Sequence, residues 1–216
     1  MRDVINGLHF FGRFAYSFSK LGYSQRRLLW SNPPGDFHGQ NWLVSGASGG
    51  IGRAIATAAA ERELLADNAV IINMTSGGMH NVPLRVDRLN KLNPERYDGV
   101  QVYAYHTRAQ VELNAGWRRR HADRGWQFYV VHPGWVDTQG VKTSLPGFRA
   151  LFKHVLRDAA AGADTAVWLA AARPPQEDDG SIWFDREERP AHIGQSTLRN
   201  ADDAEELIDF LQQCNH

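Results

Sequence analysis

Cysteine is almost absent from this chain of 216 residues, with Cys214 the only one. A lone thiol excludes an intrachain disulfide, and no zinc-like spacing surrounds it, so no metal site is expected. A reducing cytoplasm is the setting that this cysteine usage implies. An excess of either charge is lacking too. Lys and Arg number 24, Asp and Glu number 24, and the formal net charge is zero. That balance gives no electrostatic reason to expect nucleic acid as a partner. No apolar run reaches the length of about eighteen residues that a spanning helix needs. A signal peptide is not expected either, because Arg13 and Lys20 interrupt the apolar N-terminal stretch. There is no internal repeat, no low-complexity tract and no clear second domain.

What is present suits one α/β domain: 43% of residues are hydrophobic and 22% charged. A chain of this length can bury roughly 70% of the surface that it exposes when unfolded. In the N-terminal stretch Leu8, Phe11, Phe14, Ala15, Phe18 and Leu21 fall on one helical face, with Arg13, Lys20, Arg26 and Arg27 close by. Two readings fit this pattern. One is an amphipathic helix packed on the main domain; the other is a helix making peripheral contact with a membrane surface through basic and aromatic residues.

Asn32-Pro33-Pro34-Gly35-Asp36 is a turn cluster that closes this segment. Residues 1–36 are therefore read as an N-terminal helical extension and 37–216 as the main domain. Strands are expected at about 41–45, 70–74, 127–132 and 182–184. Helices are expected over 51–66, 100–121, 163–172 and 202–213. The inward face of the long helix would carry Val102, His106, Ala109, Leu113 and Trp117. Strands alternating with helices imply a mostly parallel sheet covered on both faces, a Rossmann-like doubly wound arrangement of about four strands.

Ser45-Gly46-Ala47-Ser48-Gly49-Gly50-Ile51-Gly52 stands between an apolar strand and a helix-forming run. Residues without side chains allow a tight turn and let the backbone approach a pyrophosphate, while the helix N-terminus offers free N–H groups to its charge. The pattern resembles the Gly-x-x-x-Gly-x-Gly turn of the short-chain dehydrogenase/reductase family, with Ser45 where that family usually has threonine. Three later segments extend the resemblance in order. Asn73-Met74-Thr75-Ser76-Gly77 is similar to the strand end bearing the family's catalytic serine. Tyr103-Ala104-Tyr105-His106-Thr107 is similar to its Tyr-x-x-x-Lys segment. His132-Pro133-Gly134-Trp135-Val136-Asp137-Thr138 is similar to its Pro-Gly loop. The N-terminal extension, Ser76-Gly77-Gly78-Met79 and Asp98-Gly99 resemble the member-twelve-like branch of the family.

The resemblance implies an oxidoreductase that moves a hydride between NAD or NADP and a small carbonyl or alcohol substrate. It implies Ser76 and Tyr103 as catalytic residues. Ser45, Gly46, Ser48, Gly50, Ile51, Gly52, Pro133, Gly134, Val136 and Thr138 would then contact the cofactor.

Two departures bear on activity. Thr107 stands where the family has lysine, whose charge lowers the tyrosine's pKa from about 10. The stretch from Gly52 to Val70 has room for one helix and a short link only. The family's intervening strands, including the acidic or polar residue that reads the ribose, have no counterpart there. Weak cofactor binding is therefore expected. Strand edges left open by the gap would invite a homodimer. A non-catalytic relic, binding a partner or a membrane surface, is the alternative to an enzyme.

Overall fold

The computed structural model describes residues 12, 14–30, 70–89, 97–122, 126–177, 180–194, 197–198 and 203–213. The chain forms two compact units, Met1–Asp67 with Pro133–Ala172 and Asn68–His132 with Arg173–His216. The expected strand at 41–45 and helix at 51–66 lie outside the described residues.

The second unit holds a four-stranded sheet in the order β1-β2-β3-β4. β1 (Val70–Met74), β2 (Gln127–Val131) and β3 (Ser181–Phe184) are parallel, and β4 (Glu187–Pro190) adds an antiparallel edge. Val70 stands opposite Gln127 and Met74 opposite Val131. Helices accompany the strands, so the fold is a reduced Rossmann-like α/β arrangement. β2 is an apolar run because its last four residues are buried, as expected of an inner strand of a parallel sheet. Burial pushes the Tyr129 hydroxyl up to about 12, against the pull of Arg173 and Arg118. It therefore stays a neutral donor, 2.6 Å from the Pro174 carbonyl. β4 was not expected from the pattern. It is joined to β3 through Asp185 and Arg186, whose φ angles of 52° and 61° are both left-handed. That backbone matches the twist of a two-residue hairpin, but neither residue is the glycine that advertises one.

α2 (Gly99–Arg120) starts where the Asp98 carboxylate accepts the amides of Val100 and Gln101 at 3.0 and 3.1 Å. It ends in Arg118, Arg119 and Arg120, cations suited to a helix C-terminus. Its most buried stripe is Ala104, Thr107, Arg108, Val111, Glu112 and Ala115, which corrects the expected inward face. His106 is exposed, and of the expected set Ala109 alone is buried, the other three being partly buried. The reason is that Thr107, Arg108 and Glu112 are polar yet inward, and an apolar-period reading passes over them. Ala109 and Leu113 have a different neighbour. They pack with Val86 and with Leu207 of α6 (Asp203–Gln213), while Met79, Val111, Val130, Ile182 and Ala191 form a core nearer the sheet.

In the first unit, residues 14–18 are helical and α1 spans Lys20–Arg27. Between them Ser19 is extended (φ −79°, ψ 166°), so one continuous helical face does not form. Phe18 turns inward: it stacks on Phe14 with ring centroids 4.5 Å apart and meets the edge of Trp135 at 5.9 Å. Leu21, expected on the same face, is 58% exposed. α3 (Gln139–Ser144), α4 (Pro146–Phe152) and α5 (Ala159–Ala172) follow. Phe148 and Phe152 of α4 close around Trp135 at 5.2 and 5.1 Å. α5 begins earlier than the expected 163 because Asp158 caps it, its carboxylate accepting the Ala161 amide at 2.7 Å. Among the described residues no helix is long and apolar enough to cross a membrane.

Candidate functional site

Ser76 lies just beyond the C-terminal end of β1, the end at which open parallel sheets bind their ligands. The Thr75 amide still donates to the Val131 carbonyl at 2.8 Å, so the chain leaves the sheet only there. Ser76 is extended and half-buried, and its carbonyl accepts the Met79 amide at 3.1 Å to open a short 3-10 turn, Gly77–Asn81.

Three contacts pin this loop to the turn of α2 that carries Tyr103 and Thr107. The Thr75 hydroxyl donates to the Thr107 carbonyl at 2.9 Å. A Cβ on Gly78 would stand 3.3 Å from the Ala104 Cα, so only glycine sits there without displacing the helix. Beneath both, the buried Arg108 guanidinium donates to the carbonyls of Met79 (2.6 Å), Ala191 (3.0 Å) and Val82 (3.3 Å). Glu112, also buried, has its Oε1 3.5 Å from Arg108 Nη1 and 3.8 Å from His192 Nε2.

Tyr103 is 57% exposed. Thr107 is buried, and its hydroxyl is shared between the Tyr103 and Ala104 carbonyls, each at 3.0 Å. Position 107 therefore carries a neutral group turned back onto its own helix. His106 points outward, with Nδ1 donating to the Val102 carbonyl at 2.8 Å.

The Pro-Gly loop belongs to the other unit. Gly134 has φ +79°, and a Cβ there would stand 2.4 Å from the Arg157 guanidinium carbon. Arg157 is buried and donates to the carbonyls of Phe18 (3.0 Å), Ser17 (2.9 Å) and Pro133 (3.2 Å). Its guanidinium also lies 5.1 Å from the centre of the Tyr23 ring. The loop is further fixed by Asp137, whose carboxylate accepts Arg149 Nε at 2.7 Å and Nη2 at 3.0 Å. That hydrogen bond, opposed by desolvation, holds the Asp137 carboxyl below its usual range.

Val136 is buried, and its carbonyl accepts the Thr138 amide at 2.9 Å; the Thr138 hydroxyl accepts the Val141 amide at 3.3 Å and caps α3. A carbonyl oxygen has a second lone pair and a hydroxyl that accepts still has its proton to donate. Both groups thus keep the capacity to meet a nicotinamide carboxamide. Ser45, Gly46, Ser48, Gly50, Ile51 and Gly52 lie outside the described residues.

Over 149 residues the chain is 38% identical to dehydrogenase/reductase SDR family member 12 of Bos taurus, covering 66% of this chain and 45% of that protein. This chain is a partial relative of the short-chain dehydrogenases/reductases. The human protein of the same name is 38% identical over 147 residues, with the same two shares. DnrU of Streptomyces sp. (strain C5), assigned as a daunorubicin C-13 ketoreductase, is 32% identical over 133 residues, 60% of this chain and 44% of its own. The chain spans about half the length of the curated short-chain dehydrogenase/reductase relatives that it matches. No family model matches it.

Two residues that hold these loops were not found by reading the sequence. Arg108 had a signal, since it stands four residues before Glu112 at ion-pair spacing. Arg157 had none, because its partners at Ser17 and Phe18 are remote along the chain.

Proposed function

We propose that the chain is an NAD(P)-dependent oxidoreductase of the short-chain dehydrogenase/reductase type, acting on a carbonyl or alcohol at reduced turnover in a cytoplasmic setting. The observation that carries this reading is the fixed approach of the Ser76 loop to the Tyr103 turn, through Thr75 to Thr107 at 2.9 Å and the glycine contact at Ala104. The Ser76 hydroxyl would polarise the substrate's carbonyl oxygen and the Tyr103 hydroxyl would give or take its proton. NAD(P), when bound, supplies or accepts the hydride. Ser45, Gly46, Ser48, Gly50, Ile51 and Gly52 would hold its phosphates, and the Val136 carbonyl and Thr138 hydroxyl its carboxamide. With Thr107 at that position, the Tyr103 hydroxyl has no lysine beside it of the kind that the family's motif supplies.

One observation favours a second reading, a non-catalytic relative. The Thr107 hydroxyl is spent on helix carbonyls and His106 faces away from the buried stripe. Calorimetric titration with NADH and NADPH separates the two. Saturable binding, followed by turnover of a carbonyl panel that Tyr103→Phe abolishes, supports the enzyme. A folded, monodisperse protein that binds neither nucleotide leaves the non-catalytic reading.

A further inference from the structure

The unit that holds the Pro-Gly loop presents a group of aliphatic side chains to solvent. Leu28 and Leu29 are 86% and 87% exposed, Leu151 is 75% exposed, and Leu21, Leu145 and Val155 are exposed as well. Single exposed leucines are ordinary, but these are grouped. Leu21 and Leu28 stand about two helical turns apart on one side of α1. Leu151 and Val155 are four residues apart at the end of α4, where the Leu156 amide still makes a helical bond to the Phe152 carbonyl. The Lys20 amide donates to the Val155 carbonyl at 2.6 Å. The two groups therefore meet at the start of α1.

The charge within these two segments has one sign, with Asp137 and Asp158 flanking the second. Segments 14–30 and 139–155 contain Lys20, Arg26, Arg27, Lys142, Arg149 and Lys153 and no Asp or Glu, in a chain whose cations and anions balance at 24 each. Arg149 is engaged by Asp137 and Arg26 by the Ser17 carbonyl. Lys20, Arg27, Lys142 and Lys153 are exposed, each within three residues of one of these leucines along the chain.

We propose that this face binds the surface of an anionic lipid bilayer. Leu28, Leu29 and Leu151 enter the acyl boundary while Lys20, Arg27, Lys142 and Lys153 meet the headgroups. Apolar tips ringed by cations are what such a surface selects. Nucleic acid would satisfy the cations and leave the leucines in water. A second copy would cover the leucines by setting like charges against each other. The aromatic stripe is not the contact, because the break at Ser19 turns Phe18 into the core and Leu21 out.

The test is co-sedimentation of the full chain with phosphatidylcholine vesicles and with phosphatidylserine-rich vesicles, at low and high salt. Binding to the phosphatidylserine-rich vesicles alone is expected, weakened about tenfold or more by high salt or by Lys142→Glu with Lys153→Glu. Leu28→Asp with Leu29→Asp should weaken it comparably; if that pair perturbs the far-ultraviolet circular dichroism, Leu28→Ser with Leu29→Ser replaces it. Equal binding to both vesicle types, or to neither by folded protein, overturns the proposal. So does a dimer in sedimentation velocity that the leucine variants dissociate, which assigns the face to a second copy. No part of this readout involves NAD(P) or turnover, so it fails or succeeds independently of the oxidoreductase reading.

Discussion

At Gly134 two constraints coincide: a φ of +79° and an arginine where a side chain would go. Gly134→Ala must therefore either strain the backbone or displace Arg157 from the carbonyls of Ser17, Phe18 and Pro133. We expect a loss on the order of 2 kcal/mol or more in chemical denaturation. Arg108 is the other residue whose role is set by burial. Removing it takes the guanidinium from beside Glu112, whose remaining neighbours include His192, and takes the Arg108 donors from the carbonyls of Met79, Val82 and Ala191. Arg108→Met should cost about 3 kcal/mol or more by urea titration. Adding Glu112→Leu should recover only part of that, because the carbonyls stay unsatisfied. A full recovery would mean that the ion pair, and not the loop clamp, is what Arg108 provides. The places of Ser76 after β1 and of Tyr103 on α2 followed from their flanking residues, while their catalytic roles belong to the proposed function. Arg157 was not, since its partners come from another stretch of chain.

Among the elements, α2 was read within a residue at each end, because its signals are local. Asp98 marks the start and three arginines the end. Asp98→Ala should lower stability by about 1 kcal/mol, measured as a shift in the unfolding midpoint. Its buried face was misread, because polar residues occupy it and their partners lie on other elements. The short helices α3 and α4 were missed altogether; they are fixed by Thr138 as a cap and by aromatic packing on Trp135.

The link between Asp137 in the Pro-Gly loop and Arg149 on α4 gives a pH dependence. The folded carboxyl titrates below the ordinary Asp value of about 3.9. Its contribution is therefore fully present above that value and is lost as pH falls through the lowered one. Asp137→Asn should be less stable than the native chain at neutral pH, with the gap closing in acid. The effect should be small, because the two side chains are 28% and 35% exposed and solvent screens them. A gap that persists unchanged in strong acid would assign the loss to packing.

For the molecule as a whole, the proposed enzyme turns on two features, Thr107 and the short stretch between Gly52 and Val70. If the proposed enzyme is held back at 107, Thr107→Lys should raise carbonyl turnover by about tenfold or more. An unchanged rate, with cofactor binding still measurable, would shift the defect to the short stretch.

The order of the strands along the chain, the parallel sense of the first three and the ends of the long helix were written in local patterns: apolar runs, caps and turn residues act within a few positions. The family was legible for the same reason, since its motifs are contiguous. Packing alone decided the rest. It turned the polar stripe of α2 inward, added β4 through a hairpin without glycine, and broke the N-terminal helix at Ser19. It also buried Arg108 and Arg157 on carbonyls contributed by distant segments. Such contacts depend on which segments meet after folding, and no window of sequence contains both partners.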